Sequence, residues 1–333
     1  VRVTSASHEH PAAFDVPLDH PEVRPGVSLL TGSIHAGQWS APVSVPVIAC
    51  GGSRVEHQCI RHGRRPVHRL SSGPLEIDIA PGWPGQVIGI RWRGIETLNR
   101  MFPETGVLGF EKPFYGGLYP TVLSGQLNQI HRIRGRAVRV EETDAVGLTW
   151  QGVSVRSRVP KDHDMAGARV QCRYLVSPQV PVFRVVVDVW NRTGKYTPSV
   201  IMAVLAPFMP PMDAPMTVRY ESQGLPLEYR RGNEGESVTF DNFLTLEYGG
   251  HRPDMSLLVM NDTDYLSDGI DTGEGDFYLY LTGSRRLKQG QSQRLEFWIG
   301  FDDIGRGLQH FLGIQTDGFS GLSPNHRRPN SIN

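Results

Sequence analysis

The chain predicts an all-β protein, two twisted antiparallel sheets packed face to face. Three observations carry this: two-residue alternation of apolar and polar side chains, turn formers between those runs, and little helical periodicity in a chain with 25 prolines and 37 glycines. In chain order, SLLTGS and VSVPVIA within residues 24–49 read as strands added to the main sheets. Leu75 to Ile79 reads LEIDI, with Leu75, Ile77 and Ile79 on one face and Glu76 and Asp78 on the other. Val153 to Val159 (VSVRSRV) repeats the alternation, and Phe183, Val185, Val187 and Val189 share a face. In RLEFWIGF, Leu295, Phe297, Ile299 and Phe301 stand opposite Arg294, Glu296 and Trp298. Pro81-Gly82, Pro84-Gly85, Asn191 to Gly194, Arg231-Gly232-Asn233 and Lys288-Gln289-Gly290 supply the turns. Only Gly94–Phe102 and Gly305–Leu312 have the spacing of short helices. The expected organisation is a segment 1–65 whose strands add to the same domain, a main β-sandwich over 66–303, and a polar tail over 304–333.

Composition narrows the function classes. An apolar content of 39% suffices for a core, and 34 basic against 34 acidic residues imply no general polyanion-binding surface, so no nucleic-acid partner is expected. Cys50, Cys59 and Cys172 form neither a CxxC pair nor a disulfide framework, which points to a reducing, cytoplasmic setting. The start VRVTSASHEHPAAFDVPLDHPEV has no secretory pattern, no run is apolar enough to span a bilayer, and Val1 leaves open a longer chain. His8, His10, His20, His35, His57, His62 and His68 match neither HExxH nor a zinc-finger spacing, so no metal is expected. Asp262, Asp264, Asp268, Asp271 and Asp276 lack the EF-hand register and read as a solvated turn. No GxSxG, P-loop or dinucleotide fingerprint calls for a cofactor.

The chemistry-bearing stretch is GFEKPFYGGLYPTVLSGQLNQIHRIRGR, residues 109–136. Glu111 and Lys112 precede Pro113 and are expected to line a groove with Phe114, Tyr115 and Tyr119, with Asn128, His131, Arg132 and Arg134 beside them. Aromatic faces stack on the C–H side of a sugar ring while charged and amide groups bind its hydroxyls. Gly116 and Gly117 serve either close approach of a ligand or a turn of the chain. The alternating Arg132, Arg134 and Arg136 admit a sugar phosphate or acidic sugar as readily as a neutral hexose. Trp190 and Trp298 lie opposite the apolar residues of their strands, where each serves either as a sugar platform or in cross-strand packing.

From Pro74 onward the order of motifs resembles the galactose-mutarotase-like carbohydrate-active families: LEIDIAPGWPGQVIGIRWRGIETL, then KPFYGGLYPTVL, QLNQIHRIRGRAVRVEETDAVGLTW and RYLVSPQVPVFRVVVDVWNRTG. The resemblance implies a large antiparallel β-supersandwich of the galactose mutarotase type with a concave sheet face that receives a sugar. In the aldose-epimerase branch it also implies cofactor-free interconversion of anomers by a general acid and a general base. His131 matches that branch's first histidine, the second has no match in SVIMAVLAPFMPP, and Glu247 and Glu274 are the candidates for the catalytic glutamate. The resulting expectation is a carbohydrate-binding, mutarotase-like protein. The alternatives are a noncatalytic recognition or accessory domain of a larger carbohydrate-active enzyme, and a protein-interaction module. Oligomeric state stays open.

Overall fold

The computed structural model describes residues 26–36, 38–49, 51, 54–84, 86–108, 111–123, 133–145, 147–161, 165–192, 200–209, 214–230, 237–260, 267–271, 277–283 and 287–317. Its strands are β1 (Gly26–Ala36), β2 (Trp39–Ala49), β3 (Glu56–His62), β4 (Arg65–Ser72), β5 (Leu75–Ile79), β6 (Val87–Trp92), β7 (Ile95–Glu96) and β8 (Gly106–Leu108). Next come β9 (Glu111–Phe114), β10 (Gly117–Leu123), β11 (Gly135–Thr143), β12 (Thr149–Arg158), β13 (Arg169–Val176), β14 (Phe183–Trp190), β15 (Val200–Ala206) and β16 (Thr217–Ser222). The last are β17 (Leu225–Arg230), β18 (Ser237–Phe240), β19 (Phe243–Glu247), β20 (Met255–Met260), β21 (Ser267–Asp271), β22 (Phe277–Gly283) and β23 (Ser292–Phe301), followed by helix α1 (Asp302–Asp317).

Two sheets dominate. A ten-stranded sheet runs β18-β21-β22-β15-β10-β6-β5-β4-β3 with β7 beside β6, and a nine-stranded sheet runs β11-β12-β13-β14-β23-β20-β19-β16-β17. Every described strand pair in them is antiparallel, and the expected all-β class holds. Alternation decides the packing. Leu75, Ile77, Ile79 and Ile90 from the first sheet meet Val153, Val185, Leu295, Phe297 and Ile299 from the second in one buried core.

The outer face of the nine-stranded sheet is capped at one end. Val27 of β1 and Leu308 of α1 bury Trp150, Leu175, Leu258 and Trp298 there. Trp92 Nε1 donates to Asp302 Oδ2 at 2.8 Å and ties the start of α1 to the other sheet. The expected polar tail from residue 304 is therefore helical through Asp317, and Leu308 packs because the helix lays an apolar stripe on the sheet. The boundary at residue 65 falls at the tip of a hairpin, since β3 and β4 pair from Glu56↔Ser71 to His62↔Arg65 within the ten-stranded sheet.

The helix expected over Gly94–Phe102 does not form. Arg93 (φ 50°) and Gly94 (φ 81°) turn the chain back after β6, and its amides then bond across the sheet: Thr97 N donates to Ile90 O and Asn99 N to Ala206 O. Lateral partners replace the i−4 carbonyls a helix would use. Among the described residues no helix is long and apolar enough to cross a membrane.

Gly116 and Gly117 are both left-handed (φ 64° and 79°), and a Cβ on Gly117 would overlap the Val87 carbonyl. Gly117→Ala should cost about 3 kcal/mol or more in urea unfolding, because strain and overlap add. Gly63→Ala, equally left-handed (φ 59°) but facing open space, should cost only about 1–2 kcal/mol.

Candidate functional site

Pleat and register distribute the expected site residues. Asn128, His131, Arg132 and Glu274 lie outside the described residues. Glu111 and Lys112 are in β9, hairpin partner of β8. Phe114 and Tyr119 are buried with Val204, Ala206, Tyr278 and Tyr280 on the outer face of the ten-stranded sheet, Phe114 edge-on to Tyr278 at 5.8 Å. Val204 and Ala206 come from β15, within the stretch where the second histidine of the resemblance has no match. The glycine pair serves close approach of backbone, with Gly117 N donating to Asn99 O at 2.7 Å. Arg134 is exposed, and the preceding Ile133 is sealed in the core.

Glu247 sits elsewhere. Leu244 and Leu246 of β19 enter the core, so Glu247 has the opposite parity on the nine-stranded sheet, where it accepts from Arg219 Nε at 2.9 Å. The structure thus brings Phe114 and Tyr119 together and keeps Glu247 apart from them, with both sheets between.

Two further patches share the outer face of the ten-stranded sheet. At one corner Trp83 meets Tyr115 (4.9 Å) and Phe102 (5.4 Å), both edge-on, and the Arg65 guanidinium lies 4.6 Å over the Trp83 ring. Beside it, Arg69 donates twice to Asp78 (2.7 and 2.9 Å), while Arg91 donates to Asp78 at 2.7 Å and also pairs with Glu76. Glu96 Oε1 accepts from Ile90 N at 3.0 Å while Oε2 faces Arg91 (3.7 Å) and Arg100 (3.5 Å). Burial pushes the Asp78 carboxyl up, but the hydrogen bonds from Arg69 and Arg91 outweigh it and hold it below the usual range.

At the open edge of the sandwich, where β3 and β11 end their sheets, a cleft of about 620 Å³ is lined by residues including His57, Arg139, Glu141 and Gln151. Nε2 of His57 and Nδ1 of His68 share a 3.0 Å hydrogen bond. Burial, then Arg139, then His68 lower His57 from 6.5 to about 4, and burial with Arg139 lowers His68. Both imidazoles are therefore neutral at pH 7, one donating and one accepting. In sequence these histidines stand out only by matching no metal-ligand spacing. The signal available was their place in adjacent runs, EHQCIRH and RPVHRLSS, which pair so that Cys59 faces His68. Among the described residues no group of three His, Cys, Asp or Glu is placed to hold a metal, and Cys59 and Cys172 are free thiols.

The pair makes stability pH-dependent. Unfolded His57 protonates near 6.5 and folded His57 only near 4, so the unfolded chain binds more protons between those values. Stability should fall as pH drops from about 6.5 toward about 4, and His57→Gln should flatten that slope. An NMR titration of the His57 ring with its midpoint near 6.5 would overturn this; Arg139→Gln should move the midpoint upward.

No protein-family profile and no curated protein matches the chain. Solved structures do. A galactose mutarotase-like protein from Clostridium acetobutylicum is 12% identical over 75% of this chain and 99% of its own, with a TM-score of 0.48. The α-galactosidase from Lactobacillus brevis is 12% identical over 75% of this chain and 41% of its own, at 0.48. A GH36 α-galactosidase from Geobacillus stearothermophilus is 11% identical over 74% and 41%, at 0.46. These likenesses concern architecture alone. The chain is similar in fold to galactose-mutarotase-like proteins, the architecture its sequence resembles.

Proposed function

We propose that the protein is a mutarotase-like, carbohydrate-binding protein whose sugar contacts the outer face of the ten-stranded sheet. One observation carries this reading. That face sets the half-buried rings of Tyr115 and Phe102, packed on the buried Trp83, beside the Arg69–Asp78–Arg91–Glu76 cluster, apolar platforms next to fixed, directional hydrogen-bonding groups. A polyhydroxylated ring needs both, since its C–H face is apolar and its hydroxyls are donors and acceptors.

Within this reading His131, the match to the first epimerase histidine, is the proposed general acid that protonates the ring oxygen. A carboxylate removes the proton of the anomeric hydroxyl, the ring opens, and closure on the other carbonyl face reverses both transfers. The commitment of Glu247 to Arg219 on the other sheet favours Glu274 as that base. The stretch Val200–Ala206, with Val204 and Ala206 among tyrosines, favours the alternative of recognition without catalysis.

The decisive measurement is NMR exchange between anomers across a panel of neutral and phosphorylated monosaccharides. Acceleration lost in His131→Ala and Glu274→Gln but kept in Glu247→Gln supports catalysis. Line broadening without acceleration supports recognition alone, and a panel with neither effect overturns the carbohydrate reading. Arg69→Gln should weaken any binding by about tenfold, the loss of one charged hydrogen-bond donor.

A further inference from the structure

The outer face of the nine-stranded sheet holds an arginine-lined cleft that the function proposed above does not use. Cross-strand partners share a face, so the pairs Arg156↔Gln171 and Arg169↔Trp190 put four side chains of β12, β13 and β14 in two adjacent rungs. Their neighbours Val170, Cys172, Val187 and Val189 enter the core, which turns this set outward. Together with Ser157 and Arg192 they line a cleft of about 340 Å³, within the range of small-ligand sites of about 300–1,000 Å³.

Charge on this face is divided unevenly. Toward the capped end Glu142 pairs with Arg173 and Arg184, and Glu296 with Arg184. Asp188, in the same rung as Arg156 and Gln171, is already held by Arg294 (2.7 Å) and Arg173 (3.4 Å). Arg156, Arg169 and Arg192 come after these acids are spent, and none has a carboxylate partner among the described residues. Three guanidiniums around one cleft repel one another, and an anion that accepts from them relieves that repulsion while using their planar donor pairs.

Trp190 supplies the second element. Among the tryptophans whose side chains are described, Trp83, Trp92, Trp150 and Trp298 are at most 5% exposed, and only Trp190 is partly exposed. Its ring has no aromatic or cationic partner among the described residues. Gln171 Nε2 donates to Ser154 Oγ at 2.9 Å, which holds the amide in place with its oxygen available as an acceptor.

We propose that this cleft binds an acidic sugar: a ring whose C–H face lies on Trp190, whose carboxylate or phosphate is held by Arg156, Arg169 and Arg192, and whose hydroxyl donates to Gln171. The site is on the opposite face of the sandwich from the one proposed above and does not depend on it.

The test uses the full ¹⁵N-labelled chain and follows the indole N–H signal of Trp190, identified by its loss in Trp190→Phe. The probes are glucuronate, glucose 6-phosphate, glucose and inorganic phosphate. Saturable movement of that signal is expected with one or both charged sugars, at concentrations about tenfold or more below those needed with glucose or inorganic phosphate; which charged sugar acts identifies the anion. Arg169→Gln should weaken this binding about tenfold, and Trp190→Ala should remove the advantage over inorganic phosphate. His131→Ala should leave the titration unchanged, which separates this site from the first. No movement with either charged sugar overturns the proposal. So does an equal response to inorganic phosphate, which would mean a bare anion site, or to glucose, which would mean the arginines contribute nothing.

Discussion

Everything in this molecule depends on the pleat of its strands. Successive side chains of a strand point to opposite faces, so in a two-layer sandwich each strand gives alternate residues to the shared core and holds the others outward. Leu75, Ile77 and Ile79 go in while Glu76 and Asp78 go out; Val185 and Val187 go in while Arg184 and Asp188 go out. The single interlayer core stabilises the fold by removing apolar area from water, and it also sets which side chains can take part in recognition.

The outward residues meet two different fates. Where α1 and the β1–β2 hairpin cover the nine-stranded sheet, the outward positions are apolar, and Trp150 and Trp298 are buried in a second cluster. Around Asp78 on one sheet and Asp188 on the other they are arginines and carboxylates in shared networks. Arg91 serves Asp78 and Glu76, and Arg184 serves Glu142 and Glu296 while its guanidinium lies 5.2 Å over the Trp150 ring. A half-buried carboxylate that accepts from two guanidiniums is fixed in orientation. Such a group has little left to lose when a ligand arrives, which is the physical sense of a pre-organised face.

Titratable groups follow the same division. The His57–His68 pair at the open sandwich edge is kept neutral by partial burial and by Arg139. Cys172 lies inside the core, where burial pushes its thiol up to about 12 and leaves it unreactive near neutrality. An identical side chain in the outward register would behave otherwise, so the reactivity of each group is a consequence of strand parity and position in the sheet.

Much of the fold was legible in the residues alone. LEIDI, VSVRSRV, the Phe183–Val189 run and RLEFWIGF all became strands with the expected inner faces, because alternation is a local property that burial reads directly. Gly94–Phe102 has helical spacing yet forms no helix, because its bonding partners, Ile90 and Ala206, are supplied by strands distant in the chain or across a turn. The site was legible only as composition. The aromatic stretch around Phe114 and Tyr119 was visible, but burial within a tyrosine cluster depends on β15 and β22 lying beside β10. The sequence by itself determined the all-β class, the inward and outward sets of most strands, and the kinds of side chain available for recognition. Tertiary structure alone decided which outward side chains became neighbours: Trp190 beside Arg169, His57 against His68, and Glu247 with Arg219. The reason is that sheet order and register join residues far apart in the chain, and no local periodicity encodes that pairing.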